Sequence, residues 1–197
     1  MTYALRTVVV SVAVIVAATV FATTLVHALY VSPLEDTTIA GLPSVEIPPE
    51  ESPARIEIPS IRVDADVQDV GVGRSGNMAV PSNYSDVGWY RYGTVPGQTG
   101  SAVIDGHVDN GFGLPAVFNR INELQPGDSI YVVTETGREL HFVVEEIGSY
   151  AVDAVPLETL FNRADRPRLN LITCEGTWIP EKKMYDGRFV VYAVLAP

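Results

Sequence analysis

Three residues in this chain pair reactive chemistry with a position at the end of an apolar run: Cys174, His107 and Arg188. Cys174 closes the stretch Leu169-Asn170-Leu171-Ile172-Thr173 and precedes Glu175-Gly176, where a strand is predicted to give way to loop. A thiol presented there is a nucleophile once deprotonated, while a cysteine inside a strand is packing material, and the sequence leaves both open. His107 lies in Val103-Ile104-Asp105-Gly106-His107-Val108-Asp109. An imidazole at such a place takes or gives a proton near neutral pH, or serves as a hydrogen-bonded loop residue. Arg188 opens Arg188-Phe189-Val190-Val191-Tyr192-Ala193. A guanidinium fixed beside a thiol stabilises the oxyanion formed when sulfur attacks a carbonyl; a surface charge is its plainer use.

Chain order narrows the cysteine chemistry. His107 precedes Cys174 by 67 residues and no histidine follows it, which excludes a papain-like order. The Ser-His-Gly-Cys pattern of an L,D-transpeptidase is absent. The three histidines are far apart, with no His-Glu-x-x-His spacing, so no metal and no cofactor is expected. His27 falls in an apolar segment and His141 inside the alternating run Glu139–Val144, and neither is assigned chemistry. Asp105 and Asp109 flank His107; turn-forming hydrogen bonds are their expected use, ahead of orienting the imidazole. Trp89, Tyr90 and Tyr92 are expected to pack on the domain wall. Trp178 is placed in a loop, Gly176–Gly187, together with the solvated charges Lys182 and Lys183, and Glu145 and Glu146 are read as a solvated face.

The elements that must position these residues follow from composition. The chain has 197 residues, 47% hydrophobic and 19% charged, which excludes a wholly disordered polymer. Its 13 Lys and Arg against 24 Asp and Glu give a net charge of -11, which argues against a nucleic-acid partner. One cysteine excludes an internal disulfide. No Asp, Glu, Lys or Arg lies between Arg6 and Glu35, and Val8 to Val26 is a run of 19 residues of Val, Ala, Ile, Leu, Phe and Thr plus one Ser. As a helix it spans roughly 28 Å, enough to cross a bilayer. The expected layout is a cytoplasmic N-terminus (1–7), a transmembrane anchor (8–31), a proline-rich acidic spacer (32–53) and a catalytic domain (54–197). The flanking charges place the domain outside the cell in a single-pass topology. A signal peptide cleaved near Val26-His27-Ala28 is the competing reading, disfavoured by the length of the run.

From Arg55 onward, short Val-, Ile- and Tyr-rich runs alternate with turn signals, an all-β pattern. Strands are predicted at Arg55–Ile58, Ala65–Val72, Ala102–Val108, Ser129–Glu135, Glu139–Val152, Arg168–Thr173 and Arg188–Leu195. Turns are predicted at Ser75-Gly76-Asn77, Pro96-Gly97, Pro126-Gly127-Asp128 and Thr136-Gly137-Arg138. Helices are expected at Ala116–Leu124 and Pro156–Asn162. Seven or eight strands in this length suggest a closed or nearly closed barrel.

These residues together resemble the sortases, membrane-anchored cysteine transpeptidases, from about Arg55 to Ala196. The family's Thr-Leu-x-Thr-Cys signature appears as Asn170-Leu171-Ile172-Thr173-Cys174, with Asn in the first place. Asp105-Gly106-His107-Val108-Asp109 is similar to the Gly-His-Val-Asp segment of class F, as are Ile58-Pro59-Ser60-Ile61-Arg62-Val63-Asp64-Ala65 and Val87-Gly88-Trp89-Tyr90. Arg188-Phe189-Val190-Val191 matches the strand that carries the family's arginine. The resemblance implies an eight-stranded sortase β-barrel with short helices. It implies Cys174 as nucleophile, His107 as general acid and base, and Arg188 as oxyanion stabiliser. Thr173 and the backbone N–H of Glu175 are implied to touch substrate. The implied partners are secreted proteins with a C-terminal Leu-Pro-x-Thr-Gly-like signal, an amine acceptor of the cell envelope, and the bilayer through the N-terminal helix. The alternative is a non-catalytic anchored barrel that binds envelope components, with Cys174 buried.

Overall fold

The computed structural model describes residues 2–32, 46–73 and 76–197. Helix α1 (Thr2–Tyr30) is followed by β1 (Pro53–Ile58), β2 (Val63–Val70), β3 (Val87–Tyr90), β4 (Gly100–Gly106), β5 (Ser129–Thr134) and β6 (Glu139–Ala151). Helix α2 (Leu157–Phe161) then leads to β7 (Pro167–Ile179) and β8 (Met184–Leu195). The eight strands close into a barrel in the order β1-β2-β3-β4-β7-β8-β6-β5. This is the expected architecture.

Helix α1 is apolar on every side and buries none of that surface against the barrel. The hydroxyls of Thr19, Thr23 and Thr24 donate back to the carbonyls of Ile15 and Val20, so these three polar groups are satisfied inside the helix. Among the described residues it is one helix long and apolar enough to cross a membrane. The chain leaving it touches the barrel at once. Val31 pairs with Asn83, Ser32 N–H donates to Ser82 O at 2.9 Å, and Tyr84 N–H donates to Tyr30 O at 3.3 Å. Of the expected spacer, residues 33–45 lie outside the described residues. Its described ends do not stand clear of the domain: Ser32 and Ser52 are buried and Ile47 packs on the core.

Two apolar clusters hold the fold. Inside the barrel, residues such as Ile56, Trp89, Ile104, Ile130, Phe142 and Leu171 are fully buried. On the outer face of β4, β7 and β8, a smaller cluster of Val103, Val190 and Tyr192 is capped by Leu160 from α2. The period-two alternation of strands is what sends Leu169 and Leu171 inward and Ile172 outward.

Several expectations are corrected. A strand was not foreseen at β3, because it is four residues long, contains Gly88, and is buried on both faces rather than alternating. The segment Ala116–Leu124 is not an α-helix but a series of tight turns ending in a 3-10 helix at Ile121–Glu123. Its bonds run from residue i to i+3, as from Ile121 N to Phe118 O, because Phe118, Ile121 and Leu124 recur every third residue and all face the core. The other helix is confined to Leu157–Phe161. The loop expected over Gly176–Gly187 is a β-hairpin instead. β7 continues past Cys174 through an irregularity between Glu175 and Trp178, and Arg188 lies within β8 rather than at its start. Gly176, at φ +89, absorbs that bulge; in the sequence it reads as a strand breaker. Of the expected turns, Gly127 and Gly137 adopt the required positive φ, while Ser75 lies outside the described residues.

Candidate active site

Strand register alone brings the three reactive residues into line. Cys174 on β7 is directly opposite Arg188 on β8. β4 runs parallel to β7 with Asp105 opposite Ile172, so two residues further on His107 stands level with Cys174. His107 directly follows β4, so imidazole, thiol and guanidinium come in one row from three neighbouring segments of the barrel. They line one groove on the outer face of the barrel, about 280 Å³ in volume. Leu157, Leu160 and Phe161 of α2 line it too, together with Met78, Val80 and Ile172.

The signature's departure at Asn170 has a structural use. Asn170 is fully buried and its amide donates to Leu160 O at 2.6 Å, which fixes α2 on the strand that carries the cysteine. Thr173 is also buried, and its hydroxyl donates to Gly106 O at 2.7 Å. That hydroxyl is thus committed to joining β7 to the end of β4, one residue before His107.

His107 is held by two contacts. Nε2 lies 3.1 Å from Pro81 O, and the ring meets Tyr84 edge to face at 5.1 Å. A carbonyl only accepts, so Nε2 carries the proton and Nδ1 is the basic nitrogen. Desolvation lowers the imidazole's pKa, opposed by the Pro81 hydrogen bond and by Asp109. Burial likewise pushes the Cys174 thiol up; Arg188 pulls it back, while Asp105 and Asp109 add to the rise. Neutral thiol beside neutral imidazole is therefore the dominant resting form. Arg188 is anchored by its own hairpin: Nη1 donates to Gly187 O at 2.7 Å and to Tyr185 O at 3.2 Å.

Cys174 is also part of the wall of a second cavity of about 290 Å³, bordered by Asp109, Asn119, Glu175 and Tyr185. The Glu175 carboxylate accepts from Ser149 Oγ, and the Tyr185 hydroxyl donates to Asp109. Tyr185 carries no local signal in the sequence, because the hairpin that holds it has the composition of a loop. Asp109 and Asp105 have the sequence signature of turn formers. Asp109 instead accepts from Tyr185, and Asp105 sits within β4 opposite Gly88.

The remaining candidates lie elsewhere or serve packing. His141 stacks on Tyr131 and bonds Ser129 Oγ at 2.9 Å, on β6 away from the groove. Trp89 is in the core, and Tyr90 meets Phe161 edge to face. Trp178 stays half-exposed against Tyr185. Glu145 is not merely a solvated charge: it accepts from the buried guanidinium of Arg168 at 2.9 Å, which Asp165 grips from its other side.

A sortase domain model matches residues 56–196. The fold is similar to that of sortase C-1 from Actinomyces oris, at 26% identity and a TM-score of 0.56, covering 77% of this chain and 76% of that one. It is similar to the Clostridium perfringens sortase D5 transpeptidase at 23% identity and 0.55, covering 77% and 83%. It is also similar to sortase C-1 from Streptococcus pneumoniae at 20% and 0.58, covering 83% and 77%. No curated protein matches the chain in sequence.

Proposed function

The chain belongs to the sortase family, and from that premise we propose that it is a membrane-anchored cysteine transpeptidase of the class F type. Its substrates are secreted proteins with a Leu-Pro-x-Thr-Gly-like signal near the C-terminus, and its acceptor is an amine of the cell envelope. Helix α1 is the single-pass anchor, with residues 1–7 cytoplasmic and the barrel outside. The class assignment rests on the Gly106-His107-Val108-Asp109 segment.

The observation that carries this reading is the single row of Cys174, His107 and Arg188 in one groove. Chemistry starts from the minor form of the site, thiolate with imidazolium. The thiolate of Cys174 attacks the Thr carbonyl and a C–S bond forms. Arg188 faces the oxyanion that develops. The tetrahedral adduct collapses, the C–N bond breaks, and His107 as imidazolium gives its proton to the departing glycine amine. Neutral His107 then takes a proton from the incoming amine, whose nitrogen attacks the thioester and frees the sulfur. Water in place of the amine gives hydrolysis through the same intermediate.

The test is mass spectrometry of the protein mixed with sorting-signal peptides. A mass increase equal to the peptide's acyl portion, located on Cys174 and absent from Cys174→Ala, is the expected result. Cleavage by Cys174→Ala at the wild-type rate overturns the assignment.

A further inference from the structure

The floor of the groove holds one feature that the proposed reaction does not use. Asp105 lines the cavity one pleat repeat back from the His107–Cys174–Arg188 row, beside Ile172. Its Oδ1 is buried and has no hydrogen-bond partner among the described residues. A buried carboxyl oxygen left unpaired is costly, and where such a group persists it commonly awaits a donor from outside the protein. Room for it exists because its cross-strand partner is Gly88: a Cβ there would stand 2.5 Å from Oδ1.

We propose that Asp105 is a specificity residue of the groove, whose carboxyl turns to accept a hydrogen bond from one N–H or hydroxyl of the bound sorting peptide just upstream of the scissile bond. An extended peptide rises about 3.3 Å per residue, so one pleat repeat from Cys174 corresponds to the two residues before the attacked carbonyl. The groove also offers apolar surface, with Ile172, Leu160 and Phe161 in its lining. Such a surface accepts aliphatic side chains with little discrimination. A single buried acceptor changes that, because a peptide that supplies no donor leaves it unpaired. Burial also pushes the carboxyl well above the ordinary carboxylate range, which favours its neutral form. Protonation of Asp105 removes the push that its charged form exerts on the Cys174 thiol.

This rests on the sorting-peptide reading above, and a double-mutant cycle tests it apart from that reading. The full chain is assayed with a parent Leu-Pro-x-Thr-Gly peptide and with analogues in which the amide N–H of x or of Thr becomes an ester oxygen, or Thr becomes Val. Asp105→Asn keeps an acceptor oxygen and Asp105→Ala removes it. In the wild type and in Asp105→Asn, one analogue is expected to raise KM about five- to tenfold with kcat little changed, the scale of one net hydrogen bond. In Asp105→Ala, KM for the parent peptide rises by a similar factor and that analogue brings no further loss. Independent, multiplying losses, or an unchanged KM in a folded Asp105→Ala, overturn the proposal. If the wild type forms no thioester with the parent peptide, the proposed function fails first and this inference with it.

Discussion

Tyr185 and Asp109, 76 residues apart, are joined by a hydrogen bond from the phenol to the carboxylate. The bond ties the β7–β8 hairpin, which carries Cys174 and Arg188, to the loop that leaves His107 two residues earlier. Burial, followed by Asp109, pushes the Tyr185 hydroxyl up to about 12, so the donor keeps its proton throughout the working range. Tyr185→Phe removes only the oxygen. We expect it to stay folded, with a melting temperature within a few degrees of the wild type, while kcat falls about tenfold through loss of alignment. Steady-state peptide cleavage together with thermal melting checks this; a full-rate variant assigns the bond to stability alone.

Arg188 is preset rather than free to swing, because Nη1 is bonded to two carbonyls of its own hairpin. A lysine in its place carries the charge but cannot hold those bonds and face an oxyanion with a second nitrogen. Arg188→Ala is expected to lose about 10²–10³ in kcat. Arg188→Lys should fall between the two, recovering part of the charge effect and none of the fork. Single-turnover acylation rates measure both, and a lysine variant at wild-type rate would mean that charge alone is needed.

The two groups proposed to exchange the proton shift toward their neutral forms. Desolvation takes His107 below its usual 6.5 and Cys174 above its usual 9.0. The pair with one proton, which includes thiolate with imidazolium, therefore predominates between those two limits. The expected kcat/KM profile is a broad bell, its acid limb below 6.5 and its alkaline limb above 9.0. Alkylation of the free enzyme by iodoacetamide should rise with pH to a midpoint above 9.0, since that reaction needs only the thiolate. An alkylation midpoint near 6 would instead describe a resting ion pair, contrary to the desolvated site.

The barrel and the reactive row were legible for one physical reason: each piece is local. Alternation marks most strands, and Cys174, His107 and Arg188 each sit where an apolar run meets polar residues. What stayed hidden depends on pairing between distant segments. Asp109 looks like a turn former until Tyr185 reaches it, and Tyr185 looks like loop until Gly176 lets β7 continue past the cysteine. Asp105 has the same appearance in sequence, and only Gly88 on the neighbouring strand shows that its carboxyl is buried. β3 was missed because a short strand buried on both faces has no alternation to read. Glu145 looks like a solvated charge until Arg168, buried near the start of β7, is seen to be enclosed by it and by Asp165.

The segment just after α1 bears on the same site from outside the barrel. Tyr30 O accepts from Tyr84 N–H and Ser32 N–H donates to Ser82 O, so residues 30–32 brace the stretch 82–84. The segment 81–84, of which this stretch is part, holds His107 from both ends, through the carbonyl of Pro81 and the ring of Tyr84. A chain that begins at Glu46 keeps every strand of the barrel but loses this brace. It should melt at nearly the same temperature, because the core residues all lie beyond the cut. Its Tyr84 amide, deprived of its acceptor, should exchange hydrogen about tenfold or more faster than in the full chain held in detergent. Because His107 is then less firmly placed, kcat should fall by a few-fold with KM little changed. Hydrogen exchange resolved to the 81–86 peptide, run beside the cleavage assay, reads both effects. Equal exchange in the two chains would mean that residues 30–32 do not hold the loop, and the imidazole would then depend on the barrel alone.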